Sequence, residues 1–218
     1  MILAVFDVDD TLIRGDSLKW FGWYVFKRGG LKTSCLPALV LCSVKYLFGL
    51  CGVGEFKAAG LKTLLSGTSV SAAEQLAEGF ASELLMGKLF SLGTERIRWH
   101  QERKHRIVLL SASPEIYLKQ FASLIGADTL ICTRLIARDG YLTGALAGEN
   151  CKGEEKLKRL SSEATLHGAD WGASYGYGNS AEDIPFLQAL GNPTAVNPDS
   201  RLKQTALQLG WKIENWRS

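Results

Sequence analysis

The sequence predicts an α/β protein built on a doubly wound parallel sheet, and three observations carry that prediction. Short apolar runs recur along the chain, at Ile2–Phe6, Ile107–Leu110 and Ala173–Tyr177. Each ends abruptly in a polar stretch: Asp7-Val-Asp9-Asp10-Thr11, Ser111-Ala112-Ser113-Pro114 and Gly178-Asn179-Ser180. Amphipathic helical patterns separate them. Runs of this length suit strands buried on both faces. Strand–helix alternation implies a parallel sheet with ligands at the carboxyl ends of its strands.

The first run begins at the amino terminus and carries no basic leader, so it reads as a strand and not as a signal peptide. Pro114 sits where the first helical residue after the second run is expected, and the pattern continues through Ile116, Tyr117, Phe121 and Leu124. Residues 130–147 alternate around Asp139-Gly140 and read as a β-hairpin. Lys156-Leu-Lys-Arg-Leu160 belongs to a further helix.

Residues 16–95 show no convincing buried strand and read as a helical insert, leaving 1–15 and 96–218 as the core. Within the insert, 35–53 is almost continuously apolar, interrupted by Pro37, Ser43 and Lys45, with basic residues on both sides. A helix of that length would approach the thickness of a bilayer core, but a central Lys opposes a true span. A buried cap helix pair is one reading. Peripheral membrane contact, with Trp20, Trp23, Tyr24, Lys27 and Arg28 at the interface, is the other.

Composition narrows the class. The 218 residues carry 25 Lys+Arg against 22 Asp+Glu, a net charge of +3 that implies no nucleic-acid surface. Five cysteines, odd in number and without CxxC spacing, read as reduced thiols in a cytoplasmic setting. Oligomeric state is not legible.

The strand ends carry the chemistry. Asp7 and Asp9, two apart in a loop opening, can share a hard cation such as Mg²⁺, or one of them can attack phosphorus. Ser111 offers a hydroxyl, and the amides that follow, beginning with Ala112, face the same crevice at a helix N-terminus. Asn179 and Asp183 add an amide oxygen and a carboxylate. Lys152 and Lys156 are the available cations for a phosphoryl group.

Taken together, Asp7-Val-Asp9-Asp10-Thr11, Ser111, the Lys152/Lys156 region and Asn179 with Asp183 resemble the four motifs of the haloacid dehalogenase superfamily, in order. A helical insert straight after the first motif resembles the cap of the subfamily that contains phosphoserine phosphatase. Thr133-Arg-Leu, Asp139-Gly-Tyr-Leu-Thr-Gly144 and Cys151-Lys-Gly-Glu-Glu-Lys156 are most similar to IB-type hydrolases related to phosphatidylglycerophosphatase C, as is Ala195-Val-Asn-Pro-Asp199.

The resemblance implies a phosphomonoesterase. Asp7 would be the nucleophile and Asp9 the general acid and base. Asp7, the Asp9 carbonyl and Asn179 would hold Mg²⁺. Ser111, Ala112 and a lysine would bind the phosphoryl group, with Thr11 steadying the loop and Asp183 anchoring a metal-bound water or the lysine. The cysteine–glycine pattern favours Lys156 over Lys152. Asp16 stands where related enzymes read a substrate amine, and it equally suits a helix N-cap. Asn179 replaces the usual Asp, so a catalytically weak phosphate-binding module is an alternative, and a phosphotransferase another. The substrate implied is a lipid phosphate or a small soluble phosphate, met in the cytoplasm or at the inner membrane face.

Overall fold

The computed structural model describes residues 1–28, 41, 44, 48–49 and 53–217. In chain order the elements are β1 (Leu3–Phe6), α1 (Ser17–Lys27), α2 (Val53–Leu65), α3 (Val70–Phe80), α4 (Ser91–Glu102), β2 (Arg106–Pro114), α5 (Glu115–Ile125), β3 (Thr129–Thr133), β4 (Leu135–Arg138) and β5 (Tyr141–Leu146). They continue with α6 (Glu154–Ser162), β6 (Tyr175–Gly178), α7 (Ile184–Gln188), β7 (Asn192–Val196), α8 (Ser200–Leu209) and β8 (Lys212–Glu214).

Six strands form one parallel sheet in the order β3-β2-β1-β6-β7-β8. Strand period two sends Leu3 and Val5 to one face and Ala4 and Phe6 to the other, and all four are fully buried. One face packs on α1, α3, α4 and α5, the other on α6, α7 and α8. Both faces are therefore covered, which is why these strands read as unbroken apolar runs. The strand order reverses at β1, between β2 and β6, and a crevice opens at such a switch point.

One helix differs slightly from expectation. Pro114 caps α5 from the extended region instead of opening it, because β2 runs on to that residue. The α1 stripe of Ser17, Phe21, Tyr24 and Val25 follows helical spacing and is buried.

The predicted hairpin is real but shorter. β4 and β5 pair antiparallel around Asp139-Gly140, both at positive φ (49° and 79°), a conformation that Asp and Gly tolerate. Residues 130–133 instead belong to β3, the edge of the main sheet, where Ile131 and Cys132 pair with Leu110 and Ser111.

The chain leaves the sheet and returns side by side: Arg14 N–H donates to Lys88 O (2.9 Å) and Phe90 N–H to Leu12 O (2.9 Å). Between them, the described residues are mostly helical, with turns and single bridges but no strand. The 35–53 segment lies mostly outside the described residues. Among the described residues no helix is long and apolar enough to cross a membrane.

Candidate active site

The polar ends of β1, β2 and β6 converge on a cavity of about 450 Å³. Asp7, Asp9, Asp16, Ser111, Ala112, Lys152, Lys156 and Asn179 line it. Thr11 and Asp183 do not; they stand behind the lining.

Asp7 follows the last residue of β1, and its amide donates to Tyr177 O of β6 (2.9 Å). Its carboxylate is gripped on both oxygens. Lys156 Nζ donates to Oδ1 at 2.7 Å and Thr11 Oγ1 to Oδ2 at 2.9 Å. Thr11 is completely buried, so its hydroxyl is committed to orienting Asp7 and not to a phosphoryl group. Lys156 Nζ also donates to Asp183 Oδ1 at 2.6 Å. Asp183 in turn accepts from Asn179 N, Ser180 N and Ser180 Oγ. Gly178 permits that close approach: a Cβ there would lie 2.6 Å from the Asp183 Cβ.

The two candidate lysines differ in placement. Lys156 and Leu160, one turn apart on α6, face inward and are buried. Lys152 precedes the helix, is half-exposed, and faces Glu182 at 3.7 Å.

Burial raises the Asp7 pKa; Lys156 pulls it back while Asp183 and Asp9 push it further up. For Lys156, burial alone would lower the pKa, but Asp183 and Asp7 outweigh it and hold the ammonium charged. Asp9 is raised by burial and by the charge of Asp16. Its Oδ1 accepts Ser17 N–H (2.8 Å) and its Oδ2 accepts Ser113 Oγ–H (2.6 Å). A carboxyl raised in this way holds a proton more readily than a free carboxylate does.

Ser111 Oγ accepts the Ser113 N–H at 3.1 Å, which leaves its own proton to donate. An irregularity in the β2–β3 register between Ser111 and Pro114 turns this segment out of the sheet. Asp16 caps α1, accepting from Leu18 N and Lys19 N, and still borders the cavity beside Leu18.

Several bracing residues were not legible as such. Asn197 Nδ2 donates to Asp10 O and steadies the turn after β1, where Asp10 takes φ 56°. Asp199 accepts Ala181 N–H, and its own amide donates to Asn179 O. Ser17 and Ser113 carry contacts to Asp9 that no local pattern announces. A polar residue beside a strand-end motif was the available signal for Ser113, Asn197 and Asp199.

Among the described residues no three His, Cys, Asp or Glu side chains converge as a metal cage. The residues that line the cavity instead offer oxygen donors, among them the Asp7 carboxylate and the Asn179 amide. Such a set fits a hard cation that keeps water ligands, Mg²⁺ above all, and does not fit zinc.

This arrangement defines a class. The family model for haloacid dehalogenase-like hydrolases matches residues 4–188, and the chain belongs to that family. Within it the chain is a phosphatase-type hydrolase. It is 29% identical to phosphoserine phosphatase SerB1 of Mycobacterium tuberculosis over 217 residues, 98% of this chain and 70% of the relative. It is 28% identical to a histidinol-phosphatase of Neisseria meningitidis over 223 residues, 99% of both chains. A crystal structure of a protein of unknown function from Bordetella pertussis superposes with a TM-score of 0.83 at 26% identity, covering 97% of each chain.

Proposed function

We propose that this protein hydrolyses phosphate monoesters through an aspartyl-phosphate on Asp7, and that its substrate is a small alkyl phosphate bearing an ammonium group. The observation that carries the reading is the buried Asp7–Lys156–Asp183 chain opening onto a cavity that also holds Asp9 and Ser111.

Asp7 attacks phosphorus while Lys156, Ser111 Oγ–H and the Ala112 amide hold phosphoryl oxygens. As the ester P–O bond breaks, Asp9 gives its proton to the departing alkoxide. Water then attacks the acyl phosphate and returns a proton to Asp9, which frees phosphate and the Asp7 carboxylate. Asp7, the Asp9 carbonyl and Asn179 would hold Mg²⁺, which when bound neutralises phosphoryl charge.

The substrate class rests on two supports. Asp10, Asp16 and Glu182 border the cavity, with Lys152 beside Glu182, so its mouth is more acidic than basic. The two named relatives act, by name, on phosphoserine and histidinol phosphate, and both molecules carry an ammonium on the carbon next to the phosphorylated CH₂ group. Asp16 is the group we assign to that ammonium.

A phosphate-release screen with Mg²⁺ tests this. It compares phosphoserine and histidinol phosphate with glycerol phosphate, phosphatidylglycerophosphate and lysophosphatidate. Ammonium-bearing esters should lead, and Asp16→Ala should raise their KM without changing that of glycerol phosphate. A preference for the lipid esters, or indifference to Asp16→Ala, overturns the substrate assignment.

One observation favours the membrane reading. Trp23 and Phe26 are half-exposed on α1, stack 6.0 Å apart, and have the Lys27 ammonium 5.1 Å from the Trp23 ring. Sedimentation with anionic liposomes, compared between the parent and Trp23→Ser/Phe26→Ser, decides it: binding lost in the variant supports contact, and no binding by the parent removes it.

A further inference from the structure

Asp9 is joined to the cap side of the molecule by a chain of three hydroxyls that lies behind the cavity. Ser113 Oγ donates to Asp9 Oδ2 at 2.6 Å. Ser17 Oγ lies 2.9 Å from Ser113 Oγ and 3.0 Å from the Tyr117 hydroxyl. Each hydroxyl has one proton, so the direction is determined once Ser113 donates to the carboxylate. Ser17 then donates to Ser113, and Tyr117 donates to Ser17. Burial keeps the Tyr117 hydroxyl protonated, as that direction requires. All three residues are buried.

Ser17 is the first residue of α1, and its amide also donates to the other oxygen of Asp9. Tyr117 belongs to α5 on the sheet, yet its ring packs against Phe21 of α1 (5.0 Å) and Phe80 of α3 (5.2 Å). The same contact surface that seats the inserted helices on the sheet therefore sets where Ser17 stands, and Ser17 reaches Asp9 twice.

We propose that Ser17, Ser113 and Tyr117 are positioning residues for Asp9, so that the acid–base carboxyl is aligned only when the inserted helices are docked on the sheet. This rests on the reading of Asp9 as general acid given above. Neither Ser17 nor Tyr117 lines the cavity, so both act through Ser113 and Asp9 rather than on substrate. Ser17→Ala and Tyr117→Phe leave both direct bonds to Asp9 in place but release the chain that aims the Ser113 hydroxyl at it, and misplacement of a reacting group by an ångström is enough to cost about 10²-fold in rate.

The test separates alignment of an acid from general damage by varying the leaving group. Single-turnover alcohol release is measured for phosphoserine and ethyl phosphate, whose alkoxides need a proton, and for p-nitrophenyl phosphate, whose phenolate does not. Ser17→Ala, Tyr117→Phe and Asp9→Asn are compared with the parent, with thermal midpoints recorded for each. The expected result is roughly 10–100-fold slower release from the alkyl esters in Ser17→Ala and Tyr117→Phe, with KM unmoved and the aryl ester little affected. Tyr117→Phe keeps the ring packing and serves if Ser17→Ala does not fold.

Equal slowing of alkyl and aryl esters would show a merely structural role and overturn the proposal. So would unaltered rates in both variants while Asp9→Asn slows the alkyl esters; in that case the general-acid reading stands without it. If Asp9→Asn itself leaves alkyl release unchanged, or the parent turns over none of these esters, the reading of Asp9 fails and this proposal falls with it.

Discussion

Lys156 is the most consequential single side chain in this structure, and replacing it by methionine has a calculable effect. The residue is 3% exposed, with its ammonium 2.7 Å from Asp7 and 2.6 Å from Asp183. Methionine matches the stem in length but leaves two buried carboxylates without their cation. Breaking a buried ion pair from one side costs about 3–5 kcal/mol. For a domain of this size that is a fall of roughly 6–20 °C in thermal midpoint. The deficit depends on pH with a definite sign. In the variant, burial and the charge of Asp183 hold the folded-state pKa of Asp7 above its unfolded value. The folded state then binds the extra proton, so lowering the pH from 8 to 5 should restore stability to the variant relative to the parent. Urea unfolding followed by tryptophan fluorescence in EDTA at pH 5, 7 and 8 reads this directly. Adding Asp183→Asn to the methionine variant should recover part of the loss. A variant within about 1 kcal/mol of the parent at pH 7, or a deficit that ignores pH, would refute the reasoning.

Asn179→Asp adds a negative charge to the proposed cation donors and should tighten Mg²⁺ binding by about tenfold, or 1.4 kcal/mol; calorimetry with the metal alone checks it, and unchanged affinity contradicts the placement of Asn179. His100 is fully buried, 2.8 Å from the Tyr177 hydroxyl and 2.8 Å from His105, and burial lowers its pKa to about 3. Its contribution to stability is complete above its unfolded pKa of about 6.5 and is lost as pH falls toward the folded value, so at pH 5 it should be roughly 2 kcal/mol below that at pH 7. His100→Gln should flatten that part of the pH profile; parallel profiles for parent and variant would count against it.

The strand-end residues were legible because an apolar run that stops at a carboxylate or hydroxyl marks both a strand and its functional end. Asp7, Ser111 and Asn179 were read in this way, and the structure brings them to one cavity. What escaped depended on tertiary geometry. Ser17 and Ser113 are 96 residues apart, and nothing local announces that their hydroxyls meet. β3 was absorbed into the hairpin because its alternation runs on into β4 with only Arg134 between them. β7 opens on Asn192-Pro193 and β8 is three residues long with charged residues at both ends, so neither presents an unbroken apolar run. The choice between Lys152 and Lys156 did have a local signal in helix periodicity, since Lys156 shares the inward face of α6 with Leu160.

In the proposed mechanism Asp7 carries the phosphoryl group. Acid quenching of the protein during turnover of ³²P-labelled phosphoserine, with peptide mapping of the labelled chain, tests it most directly. An acid-stable, hydroxylamine-sensitive label is expected on the peptide containing Asp7 and absent from Asp7→Asn. Phosphate release with no labelled protein, or a label that persists in Asp7→Asn, would contradict it.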